Sequence, residues 1–139
     1  MKNLAIKVID RLFIVVYGTH DPTDGEWSAY LDLAERHGIE QTMQLICTDG
    51  GEPTATQRRK LNDILGGRTV PVAVVSGSTR VRGTVTALSW FNRKIRAFPP
   101  SGLRDAIDYL EIPASRADLI EREIRLLRTE LEQGSRASA

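Results

Sequence analysis

The sequence predicts one α/β domain built on a mixed, mostly parallel five-stranded sheet, with an amphipathic helix added at its C-terminal end. Its 139 residues are the usual size of a single domain. Apolar residues make up 41% of the chain and charged residues 27%, which is typical of a globular protein. Strand-like and helix-like segments alternate after an initial pair of strands, and this order indicates parallel pairing with helices covering the sheet.

The first two strands are predicted to form an N-terminal β-hairpin. Leu4 to Ile9 alternates apolar and other residues with a period of two, whereas Leu12 to Tyr17 is continuously apolar. A continuous apolar run suits a strand that is buried on both faces. Asp10-Arg11 leaves room only for a tight turn, so antiparallel pairing is expected.

Three helix–strand units follow the hairpin, and a capping residue marks the start of each helix. Thr23 with Glu26 has the form of a capping box, and Thr54 with Gln57 repeats it. Ser76 to Thr79 caps the third helix. The strands of these units are predicted at Met43–Cys47, Val70–Val75 and Ile95–Phe98. The apolar positions expected to face the sheet are Leu61, Ile64 and Leu65 on the second helix and Val81, Val85 and Leu88 on the third.

Two further helices are predicted after the fifth strand. Leu103 to Leu110 marks the first, and Pro113 ends it. The second runs from Ser115 to about Gln133. We therefore divide the chain into an α/β domain at 1–112, an amphipathic helix at 113–133 and a disordered tail at 134–139.

The last helix carries an apolar seam at heptad-like steps. Its members are Ile120, Ile124, Leu127 and Leu131. Such a seam either packs on the sheet of its own chain or pairs with a second chain. We expect the second outcome, so these residues are candidates for homo-oligomerisation.

The charge balance limits the classes of partner that the protein is expected to bind. The net charge of +1 gives no general case for nucleic-acid binding. Residues 18–52 carry eight acidic residues and one arginine, whereas residues 64–104 carry seven basic residues and no acidic one. These segments make the molecule a dipole if they lie on different faces, and the charges offset each other if they intermingle.

Composition also limits the chemistry. A single cysteine and two histidines provide neither a disulfide framework nor a multi-cysteine metal site, so no metal or cofactor is expected. Cys47 lies in a strand predicted to be buried, where a thiol is inert. The chain shows no signal-peptide pattern and no apolar run long enough for a membrane span, which predicts a cytoplasmic protein without a transmembrane segment.

Two loops that follow sheet strands are the main candidates for a binding site. In open α/β sheets ligands bind at the carboxyl ends of strands, and the amides of a helix N-terminus attract anions. The alternative is that the glycines make turns and the hydroxyls cap helices. The expected partner- or anion-binding residues are Asp49, Gly50, Gly51, Ser78, Thr79, Arg80 and Arg82.

The order of elements resembles the STAS-like family, which includes domains similar to bacterial anti-sigma-factor antagonists and a branch compared with lipid-binding Sec14-type domains. The resemblance covers about residues 4–112. It rests on four stretches, which are Leu12–Gly18, Leu45–Gly50, Val72–Gly77 and Ile95–Phe98 with the helix after it. It implies a non-enzymatic protein–protein interaction or regulatory module in bacterial cytoplasmic signalling or scaffolding.

The resemblance also implies a candidate phosphorylation site. In the antagonists, a serine at the start of the helix after the third strand is phosphorylated to break a partner complex. The matching region here lacks the aspartate-serine-serine sequence and offers Thr54 and Thr56. For Thr54 the alternative is a plain helix cap.

Two other functions are alternatives to an interaction module. A sensor could bind a small anionic ligand, such as a nucleotide or a lipid headgroup, at the same two loops. A hydrolase could use His20 with Asp24 as a general base, but no nucleophile stands in a catalytic motif, so an enzyme is not expected. Trp90-Phe91 lies among basic residues, and one of the two aromatic side chains is expected in a contact patch.

Overall fold

The computed structural model describes residues 2–90 and 92–137, and within them the chain forms one five-stranded sheet. β1 pairs with β2 in antiparallel orientation, and β2, β3, β4 and β5 follow in parallel. The predicted mostly parallel sheet with an N-terminal hairpin is therefore confirmed. The strands are β1 (Leu4–Ile9), β2 (Leu12–Tyr17), β3 (Met43–Thr48), β4 (Val72–Ser76) and β5 (Ile95–Phe98).

Helices cover both faces of the sheet. The first three lie on one side, called here the α1–α3 face, and the last two on the other, called the α4–α5 face. β4 begins two residues later than predicted, since Pro71 has no N–H to donate to a neighbouring strand. The helices are α1 (Asp24–Arg36), α2 (Ala55–Leu65), α3 (Thr79–Leu88), α4 (Leu103–Tyr109) and α5 (Ala117–Ala137).

Both predicted capping boxes are formed. In the first, Glu26 accepts the Thr23 N–H and also the backbone N–H groups of Asn3 and Leu4, at 2.8–3.2 Å. Burial raises the pKa of Glu26, but the hydrogen bonds from Thr23 and Asn3 outweigh it and hold the pKa below its ordinary value. This carboxylate therefore fixes the start of β1 to the start of α1.

The α4–α5 face is closely packed, and α5 supplies much of its cover. Ile120 is 1% exposed and belongs to the same buried cluster as Ile14 and Leu45 of the sheet. α5 lies against β1 and β2, the part of this face that α4 does not cover. All four seam residues are buried in this cluster, namely Ile120, Ile124, Leu127 and Leu131.

The expectation that this seam contacts a second chain is therefore wrong. The first two strands present an apolar surface that needs cover, and the helix supplies it within the same chain. α5 also continues to Ala137, beyond the predicted end near Gln133. An ion pair of 3.0 Å between Lys2 and Glu130 and the close approach of Gly134 to Lys2 hold this last part near β1. Residues 138–139 of the predicted tail lie outside the described residues.

Candidate functional site

A cavity of about 410 Å³ separates the α1–α3 face of the sheet from helices α2 and α3. Ile46, Val72 and Val74 form its floor, and Leu61 of α2 and Val85 of α3 lie on its walls. Its volume lies within the roughly 300–1,000 Å³ of small-molecule pockets, which are also mostly apolar.

α2 is fixed at one end to α1 and the loop before it, and its apolar side packs only partly on the core between α1 and the sheet. The buried Trp27 indole donates its N–H to the main-chain carbonyl of Gln57 at 2.8 Å. The Gln57 side-chain amide donates to the Pro22 carbonyl and to an Asp24 carboxylate oxygen, each at 3.0 Å. Gln57 is the buried residue of α2. The helix is thus fixed near its N-terminal end and stands away from β3 and β4.

The apolar side of α2 is only partly covered as a result. Its three predicted inward residues, Leu61, Ile64 and Leu65, are half-buried. On α3, Val81 and Val85 are buried as predicted, but Leu88 is exposed. Leu88 turns toward the sheet as predicted, since it lines the cavity, and it is 37% exposed because the cavity leaves it uncovered.

Two adjacent residues of the central strand show the difference between the two faces. Leu45 points to the α4–α5 face and is 0% exposed, whereas Ile46 points to the cavity and is only half-buried. Both side chains are large and aliphatic, so their hydrophobicity does not explain the difference. The α4–α5 face is filled by protein, and the cavity side is not.

Several polar groups of the cavity wall already have partners. The Tyr30 hydroxyl donates to the Gln44 side-chain oxygen at 2.9 Å, and the Gln44 amide donates to Thr42 at 3.0 Å. The Thr48 hydroxyl donates to the Gly51 carbonyl in a short hydrogen bond. These groups are therefore satisfied within the protein.

The Tyr17 hydroxyl differs from these hydrogen-bonded groups of the cavity wall. Its side chain lines the cavity and is 3% exposed, yet its hydroxyl makes no hydrogen bond within residues 2–90 and 92–137. Burial and, secondarily, the neighbouring Tyr30 raise the pKa of Tyr17 well above its ordinary value. Tyr17 thus keeps a neutral hydroxyl at the wall, with its proton available for donation.

Arg58 is a second side chain of the cavity wall with hydrogen-bond donors that the protein does not use. It lines the cavity, is half-buried, and donates one guanidinium N–H to the Pro53 carbonyl at 2.7 Å. Among the described residues it has no carboxylate partner. The other arginine of the cavity wall does, since Arg68 lies 3.8 Å from Glu40. Glu52, which also lines the cavity, lies 3.3 Å from Arg80 of the adjoining loop.

The two predicted loops do lie together at the carboxyl ends of β3 and β4. Arg80 donates to the Gly50 carbonyl at 2.9 Å in addition to its ion pair with Glu52. The Ser76 hydroxyl donates to the Thr48 carbonyl at 2.8 Å. We call the surface formed by residues 48–56 and 76–82 the loop surface.

Some predicted residues of this surface have structural roles. The Gly51 N–H donates to the Gly18 carbonyl at 2.9 Å, and a side chain at position 51 would collide with the His20 backbone. The Ser78 hydroxyl caps α3 by accepting the Val81 N–H at 3.3 Å. These contacts match the alternative in which glycines make turns and hydroxyls cap helices.

The remaining candidates are dispersed. Asp49 faces the other side of the sheet, 3.7 Å from Arg128 of α5. Thr79 is exposed, and Arg82 is half-buried with a buried Nε that has no hydrogen-bond partner among the described residues. Thr54 caps α2 by accepting the Gln57 N–H at 3.2 Å, and Thr56 is exposed beside it.

His20 and Asp24 do not form the pair that a general base would need. The His20 ring contacts the Thr19 hydroxyl at 3.0 Å, and Asp24 accepts a hydrogen bond from Gln57. Burial raises the pKa of Cys47 to about 11, so its thiol stays protonated at neutral pH, as predicted for an inert cysteine. Neither feature supports catalysis.

The charged segments meet in the fold. The ion pairs Arg68–Glu40 and Arg80–Glu52 each join the basic segment at 64–104 to the acidic segment at 18–52. This supports intermingled charge at these two points.

Trp90 is 80% exposed, as expected for a contact patch, and Phe91 lies outside the described residues. None of the helices in the described part of the chain is both long and apolar enough to span a membrane.

Comparisons with known proteins agree with this fold. No protein-family model matches the chain, and no curated protein matches its sequence. The structure is similar to the crystal structure of an uncharacterized protein from the DUF3478 family with a SpoIIAA-like fold, from Shewanella loihica. The TM-score is 0.57 at 18% identity, over 77% of this chain and 91% of the other.

The protein therefore has a SpoIIAA-like fold, which confirms the STAS-like architecture expected from the sequence. At 18% identity the similarity concerns the fold alone, so any site has to be argued from the residues of this chain.

The sequence did not reveal the cavity or the roles of Tyr17, Gln57 and Arg58. One signal was present: the second capping box places Gln57 three residues after its cap, and its neighbour Arg58 begins the cavity wall. The offset of α2 from the sheet has no local signature.

Proposed function

We propose that this protein is a non-enzymatic regulatory module that binds a small, largely apolar molecule in the cavity beneath α2 and α3. The observation that carries the proposal is the cavity itself, about 410 Å³ beside the central strands of the sheet. The cavity is partly open to solvent, and its mostly apolar lining would be covered more favourably by an apolar ligand than by water. A space of this size is better explained by a ligand than by stability.

The position of the cavity connects ligand binding to regulation. Thr48, Gly51 and Glu52 line the cavity and also belong to the loop surface. A bound molecule would therefore touch the segment that Arg80 clamps through Gly50 and Glu52. We infer that occupancy of the cavity changes the loop surface, in keeping with a role in bacterial cytoplasmic signalling.

Thermal unfolding with straight-chain alcohols tests the proposal. Octanol, with butanol for comparison, should raise the Tm of the wild-type protein, because a ligand that binds the folded state stabilises it. The variant Ile46→Phe places a larger side chain in the cavity and should show a much smaller rise. Equal shifts in both proteins, or no shift in either, would contradict the proposal.

A second candidate function is a protein–protein interaction module acting through the loop surface. The observation that favours it is the pairing of Arg80 with Glu52 and Gly50, which joins the two loops into one surface. Phosphorylation of Thr54 or Thr56 would add charge at the edge of this surface.

Affinity capture from a bacterial lysate with matched variants tests the second function. A specific partner should be retained by the wild-type protein and by Arg93→Ala, an exposed arginine outside the loop surface. It should be lost with Arg80→Ala. Retention by all three proteins would show that the contact lies elsewhere.

A further inference from the structure

We propose that the cavity takes an amphiphile with a single anionic group, a medium-chain carboxylate, whose charge is held by Arg58. The inference rests on the proposed function and names the chemical class of the ligand. It depends on two hydrogen-bond donors of the wall, the Tyr17 hydroxyl and the Arg58 guanidinium, and on the apolar floor of the cavity.

The charge of Arg58 lacks a counterpart in the described part of the protein. A guanidinium has five N–H donors, and the Pro53 carbonyl accepts one of them. Placing an ionised group beside an apolar surface costs free energy unless it is paired. A carboxylate is the group that pairs best with a guanidinium, because two parallel hydrogen bonds can form.

The other charged groups of the wall neither neutralise Arg58 nor offer a second free charge to a ligand. Glu52 lines the cavity, but its carboxylate is held by Arg80. Arg68 also lines it, with a side chain that is largely exposed and directed to Glu40. The wall therefore presents one unmatched positive charge, which suits a ligand with one negative charge.

The backbone of Tyr17 lies near the same end of the cavity. Tyr17 pairs with Thr48 across β2 and β3, and Thr48 is bonded to Gly51, two residues before Pro53. Pro53 in turn holds Arg58. The Tyr17 side chain extends from there to the neighbourhood of Tyr30, so the cavity wall carries one neutral and one charged donor.

The opposite end of the cavity combines apolar residues with the polar Arg68, Thr69 and Asn92. Gln44 also lies there, but its side-chain groups are used by Tyr30 and Thr42. The floor between the two ends is apolar. A ligand with a charged head at Arg58 and a hydrocarbon chain over Ile46 and Val74 fits this lining.

Calorimetric titration with octanoate and octanol at neutral pH tests the inference. These ligands share a hydrocarbon chain and differ in the head group. We expect the wild-type protein to bind octanoate about tenfold more tightly, as one charge-assisted hydrogen bond would give. Arg58→Gln should lose this preference and keep its affinity for octanol, which also shows that the variant is folded.

Two further variants complete the test. Arg59→Gln removes the exposed arginine next to Arg58 on α2 and should behave as wild type. Tyr17→Phe removes only the hydroxyl and should weaken octanoate binding several-fold. Equal wild-type affinities for the two ligands, or a preference that survives Arg58→Gln, would overturn the inference and leave the proposed function standing. Failure of both ligands to bind the wild-type protein would count against both.

Discussion

Trp27 donates its indole N–H to the main-chain carbonyl of Gln57 over 2.8 Å, and both residues are buried. The bond joins α1 and α2 side by side. α2 therefore takes its position from its neighbour in the helical layer, and the space between it and the sheet can stay open. The shape of the cavity depends on this hydrogen bond from Trp27, one of its lining residues.

Replacement of Gln57 by alanine should lower the free energy of unfolding by about 1–3 kcal/mol, because the Pro22 carbonyl loses its buried donor. Urea denaturation measures the change. Lys60→Ala, at an exposed position of the same helix, should stay within about 0.5 kcal/mol of wild type. Similar losses in the two variants would show that Gln57 is not the anchor.

Phenylalanine substitutions at two adjacent positions of β3 should have opposite effects. Ile46→Phe enters the cavity and should stabilise the protein by about 0.5–2 kcal/mol, as cavity-filling substitutions do. Leu45→Phe enters the filled α4–α5 face and should destabilise it by about 1–3 kcal/mol. Thermal or urea unfolding of both variants gives the comparison. A loss of stability in both would mean that the cavity side is as tightly packed as the other.

Two neighbouring leucines of α5 offer a matched test of its packing. Leu127 is buried against the sheet, whereas Leu126 is 52% exposed. Leu127→Ala should cost about 2–5 kcal/mol, and Leu126→Ala less than about 0.5 kcal/mol. Light scattering should show the same oligomeric state for Leu126→Ala and the wild-type protein at equal concentration. If Leu126→Ala lost more stability than Leu127→Ala, the buried seam would again be a candidate for pairing with another chain.

Stability should fall in alkaline solution. Burial raises the pKa of Cys47 from 9.0 to about 11, so the unfolded chain loses this proton first. The contribution of the thiol is fully present below pH 9 and is lost as the pH rises through about 11. Burial also raises the pKa values of Tyr17 and Tyr30, which act in the same direction.

Urea denaturation between pH 8 and pH 11 of the wild-type protein and of Cys47→Ala isolates the thiol. The variant should show a shallower decline than the wild type over this interval. Parallel curves would show that Cys47 is not protected from ionisation in the folded state.

Local features of this fold were the most predictable ones. The residue pairs Thr23–Glu26 and Thr54–Gln57 define helix starts through contacts three residues apart, and both capping boxes form. The hairpin between Leu4 and Tyr17 follows in the same way from a short connection between two apolar segments. Such signals do not depend on the rest of the chain.

Features that depend on distant contacts were less predictable. The heptad-like seam containing Ile120 and Leu131 shows which side of α5 is apolar, but not whether its own chain or another covers it. Likewise, Leu61 and Leu65 mark the apolar side of α2 but not its distance from the sheet. That distance is set by Trp27 and Gln57, whose bond spans 30 positions of the sequence.

The position of α5 has a consequence for synthesis of the chain. An ion pair between Arg116, which directly precedes α5, and Asp10 spans 106 positions, and the helix covers strands that emerge from the ribosome long before it. Until α5 follows, a nascent chain exposes the apolar side of β1 and β2 to water. Contacts between such distant segments slow folding, and exposed strands invite aggregation. Premature termination before α5 would therefore leave a product suited to chaperone capture or proteolysis.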